Sequence, residues 1–262
     1  LVKNNMKLFF SIALLYLFVS SCSSNEVEKN SNALIPIKNH SFSNVDSIHT
    51  THLHLDLKVD FNTKKLSGVA RHKMLNSGTK KAIFDIKGLK IKKVTTGESN
   101  NEINRNFQIG KEAENQILGQ PLIVDIDRGT SIVNIYYETT KESEALDWLD
   151  SALTSSKNKP FLYTQGQAIL TRTWIPVQDV PANRITYSAD LEVPSDLMAV
   201  MSASNPTLKN DAGIYHFDMK QAIPCYLIAL AVGDLVYGDL GNHTGVYCEP
   251  ELLDASMFEF ED

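Results

Sequence analysis

Residues 51–61 alternate strictly between apolar and polar side chains. Successive side chains of a strand point to opposite faces, so this two-residue period predicts a strand with one buried face. The polar positions between them, beginning with His52 and His54, fall on the other, solvated face. The apolar positions are Leu53, Leu55, Leu57, Val59 and Phe61.

Strand-like segments continue along the chain, separated by Gly, Asn, Asp and Pro. They are 80–96 (interrupted at Gly88), 121–127, 131–140, 184–194, 198–204, 213–220 and 224–238. So many short segments predict a mainly β, antiparallel domain over residues 48–238. The apolar run at 223–236 is too short to span a membrane, and it predicts a central strand covered on both faces. Residues 239–262 start a new element, in which "EPELLDASMFEFED" predicts the first turns of a helix.

The amino terminus has the pattern of a secretory signal. Lys3 and Lys7 precede an apolar stretch that runs from Leu8 to Val19, and two serines then lead to Cys22. This arrangement resembles a bacterial lipobox, so residues 1–22 are predicted to be a lipoprotein signal with Cys22 lipidated. An ordinary secretory cleavage site is the alternative. Residues 23–47 are polar and predict a flexible tether, which would place the folded part in the bacterial cell envelope, facing the periplasm or the outside.

Composition and charge exclude several classes of function. The formal net charge is -6 and the basic residues are scattered, which argues against a nucleic-acid partner. None of the seven His is followed by Glu, so a His-Glu-x-x-His zinc site cannot be built here, and a Gly-x-Ser-x-Gly nucleophile motif is absent. Cys225 lies in an apolar run and is predicted to be a buried thiol; a bridge to Cys248 is the alternative.

The stretch "FLYTQGQAILTRTWIPVQD", residues 161–179, contains three amide side chains among aromatic and β-branched residues. A buried amide without a partner is costly, so the pair at Gln165 and Gln167 is either exposed or faces a ligand. "QAILTRTW" is strand-like, and two prolines follow it. Proline ends a strand and orders a loop, so the segment is predicted to lie on a rigid rim and to face a ligand.

Four blocks of this sequence resemble a known family. They are 52–68, 144–149, 161–203 and 223–235, and their order matches the amino-terminal domain of zinc aminopeptidases of the leukotriene A(4) hydrolase and aminopeptidase B type. The resemblance implies a saddle-like antiparallel β-sheet domain, followed by the start of an α/β thermolysin-like catalytic domain. It implies that the whole protein hydrolyses amino-terminal residues from peptides with one zinc ion.

Three substrate-binding residues are implied by the same resemblance. Gln167 would hydrogen-bond the substrate near its free α-amine, Ala168 would line the first side-chain pocket, and Gln165 would face deeper into the channel. Gly166 departs from the vertebrate hydrolases, which have Cys at this position. A neutral amide suits the task because it can accept from an ammonium and donate to a carbonyl without a buried charge.

The family's zinc-binding His-Glu-x-x-His and its Gly-x-Met-Glu-Asn motif do not occur in these 262 residues. The resemblance therefore implies a fragment that supplies one wall of the active site, holds neither catalytic residues nor metal ligands, and is inactive alone. The expected partners are a peptide with a free amino terminus and, through Cys22, a membrane. The alternative is a non-catalytic surface lipoprotein whose β domain binds a peptide or a protein.

Overall fold

The computed structural model of the protein describes residues 40–261, and within that range strands predominate. The strands are β1 (Ile48–Asp60), β2 (Lys65–Asn76), β3 (Lys81–Ile86), β4 (Leu89–Thr96), β5 (Ile103–Asn104), β6 (Phe107–Ile109), β7 (Gln120–Asp125), β8 (Ile132–Thr139), β9 (Leu146–Leu149), β10 (Phe161–Thr164), β11 (Arg184–Glu192), β12 (Met198–Met201), β13 (Ile214–Pro224), β14 (Leu230–Gly233), β15 (Val236–Gly241) and β16 (Thr244–Cys248). Helix α1 covers Leu253–Glu259. Short 3₁₀ turns occur at Ser151–Leu153, Thr171–Thr173, Cys225–Leu227 and Pro250–Leu252. The predictions of a mainly β chain and of a helix near its end are confirmed.

The strands form four sheets. The largest has seven strands in the order β13-β11-β1-β2-β8-β4-β5, and a four-stranded sheet has the order β12-β14-β10-β9. A three-stranded sheet, β3-β7-β6, and the hairpin β15-β16 complete the set in the described range. The pairs are antiparallel with one exception, since β1 and β11 run parallel with His52 opposite Thr186.

Strand β1 has the predicted amphipathic character. Leu53, Leu55, Leu57 and Val59 are at most 3% exposed and belong to the main hydrophobic core. Complete burial of one such side chain contributes about 1.5–3 kcal/mol, so this face of β1 is a major source of stability. Phe61 lies just beyond the strand, where its ring meets that of Trp148 edge-on at 5.2 Å between centroids.

Two predicted strands are wrong. The run 223–236 is not one strand: β13 ends at Pro224, a 3₁₀ turn covers Cys225–Leu227, and β14 starts at Leu230. Pro224 ends the strand because it has no N–H to donate to a ladder, and its backbone stays extended immediately before the turn. "QAILTRTW" is also not a strand, because Thr171–Thr173 form a 3₁₀ turn.

The carboxyl-terminal hairpin joins the predicted β domain to the segment after it. Strand β15 crosses the predicted boundary at residues 238 and 239. Helix α1 packs on this hairpin so closely that a Cβ on Gly238 would lie 2.8 Å from Met257 Sδ. Cys225 is a buried free thiol, as predicted, and Cys248 is also free, so the alternative disulfide does not form here. Among residues 40–261, no helix is long and apolar enough to cross a membrane.

Candidate substrate-binding loop

The loop at residues 165–170 follows β10, which lies between β9 and β14 in the four-stranded sheet. One residue holds both ends of the loop. The Gln165 N–H donates to the Ala145 carbonyl at 2.9 Å, and the Ala145 N–H donates to Thr173 Oγ1, also at 2.9 Å. Within the loop, the Leu170 N–H donates to the Gly166 carbonyl at 2.8 Å. These bonds hold the loop in an ordered turn.

The three predicted site residues lie together on this loop. Gln165, Gln167 and Ala168 are all exposed, and the peptide bond between Gln167 and Ala168 is cis. Gln165 Oε1 accepts the Gln167 N–H at 3.0 Å, so the first glutamine fixes the backbone of the second. Within the described part of the chain, the Gln167 side-chain amide has no hydrogen-bond partner. It therefore presents both a donor and an acceptor outward.

A buried ion-pair cluster anchors the carboxyl-terminal side of the loop. Arg172 is fully buried, and its Nε donates to Asp179 Oδ2 at 2.9 Å. The Nη1 group donates to the Leu118 carbonyl at 2.9 Å, and Nη2 donates to the His40 carbonyl at 3.0 Å. A second buried carboxylate faces the same guanidinium, since Asp85 Oδ1 lies 3.8 Å from Nη1. A guanidinium has five donors in a fixed fork, so one side chain can tie these separate segments together.

Asp85 and Cys225 complete the cluster. Asp85 accepts the backbone N–H groups of Phe42 at 2.7 Å and of Asp179 at 2.9 Å. Burial raises the pKa of Asp85, while Arg172 and these hydrogen bonds oppose the increase. The Cys225 thiol donates to Asp179 Oδ1 at 3.0 Å, and burial together with Asp179 raises the pKa of the thiol well above its usual value. Such a thiol is a poor nucleophile, so the cluster is structural.

Gln178 differs from the loop glutamines because it is buried. Its Oε1 accepts the Thr50 N–H at 2.9 Å, and its Nε2 donates to the Ile48 carbonyl at 2.9 Å. These bonds pair Gln178 with the backbone of β1, so its amide is not available to a ligand. The adjacent buried His72 also contributes to this network, through a 3.1 Å contact between its Nδ1 and Thr50 Oγ1.

Sequence reasoning did not find the Arg172 cluster. The available signal was an Arg in the middle of a stretch of Thr, Trp and Ile, with an Asp seven residues later. His52 and His54 lie on the solvated side of β1 and contact Thr186 and Ser188. The described residues contain no group of three or more His, Cys, Asp or Glu that could hold a metal ion.

Two solved structures share this architecture over part of their length. Yeast leukotriene A4 hydrolase, in complex with bestatin, aligns with a TM-score of 0.76 at 30% identity, covering 86% of this chain and 35% of that one. An M1 zinc metallopeptidase from Deinococcus radiodurans, bound to a Tyr-Ser-Ala substrate, aligns with a TM-score of 0.55 over 77% of this chain and 46% of that chain. At 19% identity it shares the fold alone. The fold is therefore that of the part of leukotriene A4 hydrolase that aligns with this chain.

The sequence comparison gives the family. The family model described as the Peptidase M1 N-terminal domain matches residues 49–227, so the chain belongs to the M1 peptidases as their amino-terminal domain. It is 35% identical to leukotriene A-4 hydrolase of Xenopus laevis over 234 residues, which is 85% of this chain and 37% of that protein. It is 47% identical to human aminopeptidase B over 119 residues, which is 45% of this chain and 18% of that protein. The chain thus spans little more than a third of these relatives at most.

Proposed function

We propose that this chain supplies the β domain and one wall of the substrate cleft of a zinc aminopeptidase, which removes amino-terminal residues from peptides. The observation that carries the proposal is the exposed Gln167 amide on a loop held by Ala145. Membership in the M1 family and the peptide-bound relative support a peptide as the substrate. The chain covers at most 37% of the length of the curated relatives named above, so the activity of the whole protein is part of the proposal.

In this proposal Gln167 positions the peptide's amino terminus. Its Oε1 accepts a hydrogen bond from the α-ammonium, and its Nε2 donates to a nearby carbonyl of the peptide. Gln165 holds the backbone of Gln167 through the 3.0 Å bond, so the amide reaches the substrate already oriented. Ala168, the next residue, lines the pocket of the first side chain.

The zinc ion belongs to the catalytic domain in this proposal, because residues 40–261 contain no suitable ligand cluster. When bound there, zinc supplies Lewis-acid polarisation of the scissile carbonyl and activation of water. The β domain contributes no ligand and moves no proton. Its part is to bind and orient the peptide, so its residues should affect substrate binding.

The test is kinetic and uses the full-length enzyme. Gln167→Ala removes both hydrogen bonds to the substrate, and we expect kcat/KM for peptides with a free amine to fall about 5- to 150-fold, which corresponds to about 1–3 kcal/mol. Gln221→Ala is the control, because Gln221 is exposed on β13 and should leave the kinetics unchanged.

Unchanged kinetics for Gln167→Ala would remove that residue from the substrate site. A second result would favour the non-catalytic alternative: a full-length protein that binds peptides through this loop yet releases no amino acid. Titration of a labelled peptide into the wild type and into Gln167→Ala distinguishes the aminopeptidase from the non-catalytic binding protein. The binding protein would lose peptide affinity on substitution, and neither form of it would hydrolyse the peptide.

We also propose that Cys22 carries a lipid that anchors the protein in a bacterial cell envelope. The support is the serine pair and apolar stretch before it, together with the polar residues 23–39 after it; residues 1–39 lie outside the described range. The predicted tether bound at residue 47 is wrong, because Ser41 and Phe42 are buried and both donate hydrogen bonds to the Asp85 carboxylate. Cys22→Ser should move the protein from the membrane fraction to the soluble fraction. Mass spectrometry of the wild-type amino-terminal peptide that shows an unmodified Cys22 thiol would contradict the proposal.

A further inference from the structure

Gly166 lies at a close approach between the substrate-binding loop and the turn at Cys225–Leu227. It is buried, although both of its chain neighbours are exposed. A Cβ on Gly166 would lie 2.7 Å from the Tyr226 carbonyl oxygen, 3.2 Å from the Tyr226 carbonyl carbon and 2.8 Å from Thr171 Oγ1. Side-chain carbons do not approach backbone atoms this closely, so any larger residue must displace one of the two segments.

The turn is the better-anchored partner. The Cys225 carbonyl accepts the Thr171 hydroxyl at 3.2 Å and the Ile228 N–H at 3.0 Å, and the Cys225 thiol is fixed on Asp179. Cys225 is buried against the Arg172 cluster, whereas the loop's side chains at Gln165, Gln167 and Ala168 are exposed. A side chain at position 166 would therefore displace the loop rather than the turn.

A displacement at Gly166 would reach the site residues directly. Gln167 is the next residue along the chain, and the Gly166 carbonyl accepts the Leu170 N–H, so residues 167–169 are carried with Gly166. The Gln167 backbone would then leave the position in which Gln165 Oε1 holds its N–H, and the side-chain amide of Gln167 would move with it. Errors of about 1 Å in the placement of a reacting substrate can cost about 100-fold in rate.

We propose that Gly166 is a positioning residue of the substrate site: the absence of a side chain lets the loop pack on the Tyr226 backbone and sets where Gln167 presents its amide. The proposal rests on the proposed function of this loop. The constraint is one of space, because Gly166 does not have the left-handed φ that would itself demand glycine.

The chain offers a matched control. Gly129 also lacks a left-handed φ, and nothing lies within 4 Å of the position its Cβ would take. In the full-length enzyme, Gly166→Ala should lower kcat/KM for peptides about tenfold or more, with KM changing more than kcat, whereas Gly129→Ala should match the wild type. Wild-type kinetics for Gly166→Ala would overturn the proposal.

A double-mutant cycle shows whether Gly166 acts through Gln167. In the Gln167→Ala background the additional effect of Gly166→Ala should shrink to less than about twofold, because the amide that it misplaces is gone. An undiminished effect in that background would overturn the proposal. Should Gly166→Ala fail to fold, Thr171→Val loosens the packing of the loop on the same turn by removing the neighbouring hydrogen bond to the Cys225 carbonyl. Unchanged kinetics for that variant would also overturn it.

If Gln167→Ala has no effect on peptide hydrolysis, the proposed function fails, and the positioning role is then judged by amide hydrogen exchange. Gly166→Ala should accelerate exchange of the Gln165 and Leu170 amides relative to Gly129→Ala, because both amides hold the loop in place. Equal exchange in the two variants would overturn the positioning role independently of any activity.

Discussion

His72 makes stability depend on pH through a single buried ring. It is 1% exposed, and its Nε2 lies 3.0 Å from the Pro176 carbonyl, which can only accept. The neutral ring therefore carries its proton on Nε2, and Nδ1 accepts from the Thr50 hydroxyl at 3.1 Å. Burial lowers the pKa of His72 from 6.5 to about 3, despite the opposing bond to Pro176.

The consequence follows from the difference between the folded and unfolded pKa. Below pH 6.5 the unfolded chain binds a proton on His72 that the folded chain does not bind until about pH 3, so stability is lost as the pH falls through that window. At pH 5 the loss is about 2 kcal/mol, because that pH is about 1.5 units below the free pKa and each unit is worth about 1.36 kcal/mol.

Urea unfolding followed by tryptophan fluorescence at pH 7.5 and pH 5 measures this loss, since Trp174 is fully buried. The decrease in unfolding free energy between these pH values should be about 2 kcal/mol smaller in His72→Gln than in the wild type. His243→Asn, in the exposed turn between β15 and β16, is the control and should keep the wild-type decrease. The reasoning is refuted if His72→Gln keeps it too.

Two further substitutions probe the polar interior. Arg172→Met should destabilise the fold by about 3–5 kcal/mol, because it leaves the Asp179 carboxylate buried without its cation; an unchanged urea midpoint would contradict this. Gln178→Ala should cost about 1–3 kcal/mol of unfolding free energy, because it leaves the Thr50 N–H and the Ile48 carbonyl unpaired, while KM for peptides in the full-length enzyme stays at the wild-type value. A large change in KM would place Gln178 in the substrate site instead.

The amphipathic strands could be predicted because their signal is local. The alternation along β1 specifies a buried face whichever strands lie beside it, and Gly88, with φ at +66°, separates β3 from β4 as the sequence suggested. The parallel pairing of β1 with β11 could not be predicted, because the two strands are more than 120 residues apart and both show the same alternation. Pattern identifies the buried face of a strand, and tertiary packing selects its neighbour.

Predictions failed where polar residues enter the interior. "QAILTRTW" resembled a strand because Thr, Ile and Trp favour strands. The structure instead turns at Thr171–Thr173, and it is in this turn that Arg172 meets the Asp179 carboxylate. Propensity scores each residue alone, whereas this turn is stabilised by hydrogen bonds to segments as distant in sequence as His40. A sequence pattern does not show that an Arg will be buried, because burial depends on partners elsewhere in the chain.

The three glutamines of residues 161–179 also show that a sequence pattern does not reveal which polar side chains are buried. Sequence alone leaves the pair at Gln165 and Gln167 either exposed or facing a ligand, and it does not distinguish Gln178 from them. Gln178 bonds to the backbone of β1 and is 3% exposed, whereas Gln167 is exposed, and its side chain meets no partner within residues 40–261. Substitution should affect a different property in each case. Gln178→Ala should lower stability and leave substrate binding unchanged, whereas Gln167→Ala should weaken substrate binding and leave stability unchanged. If both substitutions had the same effect, Gln178 could not be an interior amide while Gln167 faces the substrate. The proposed substrate-binding role of the loop would then be refuted.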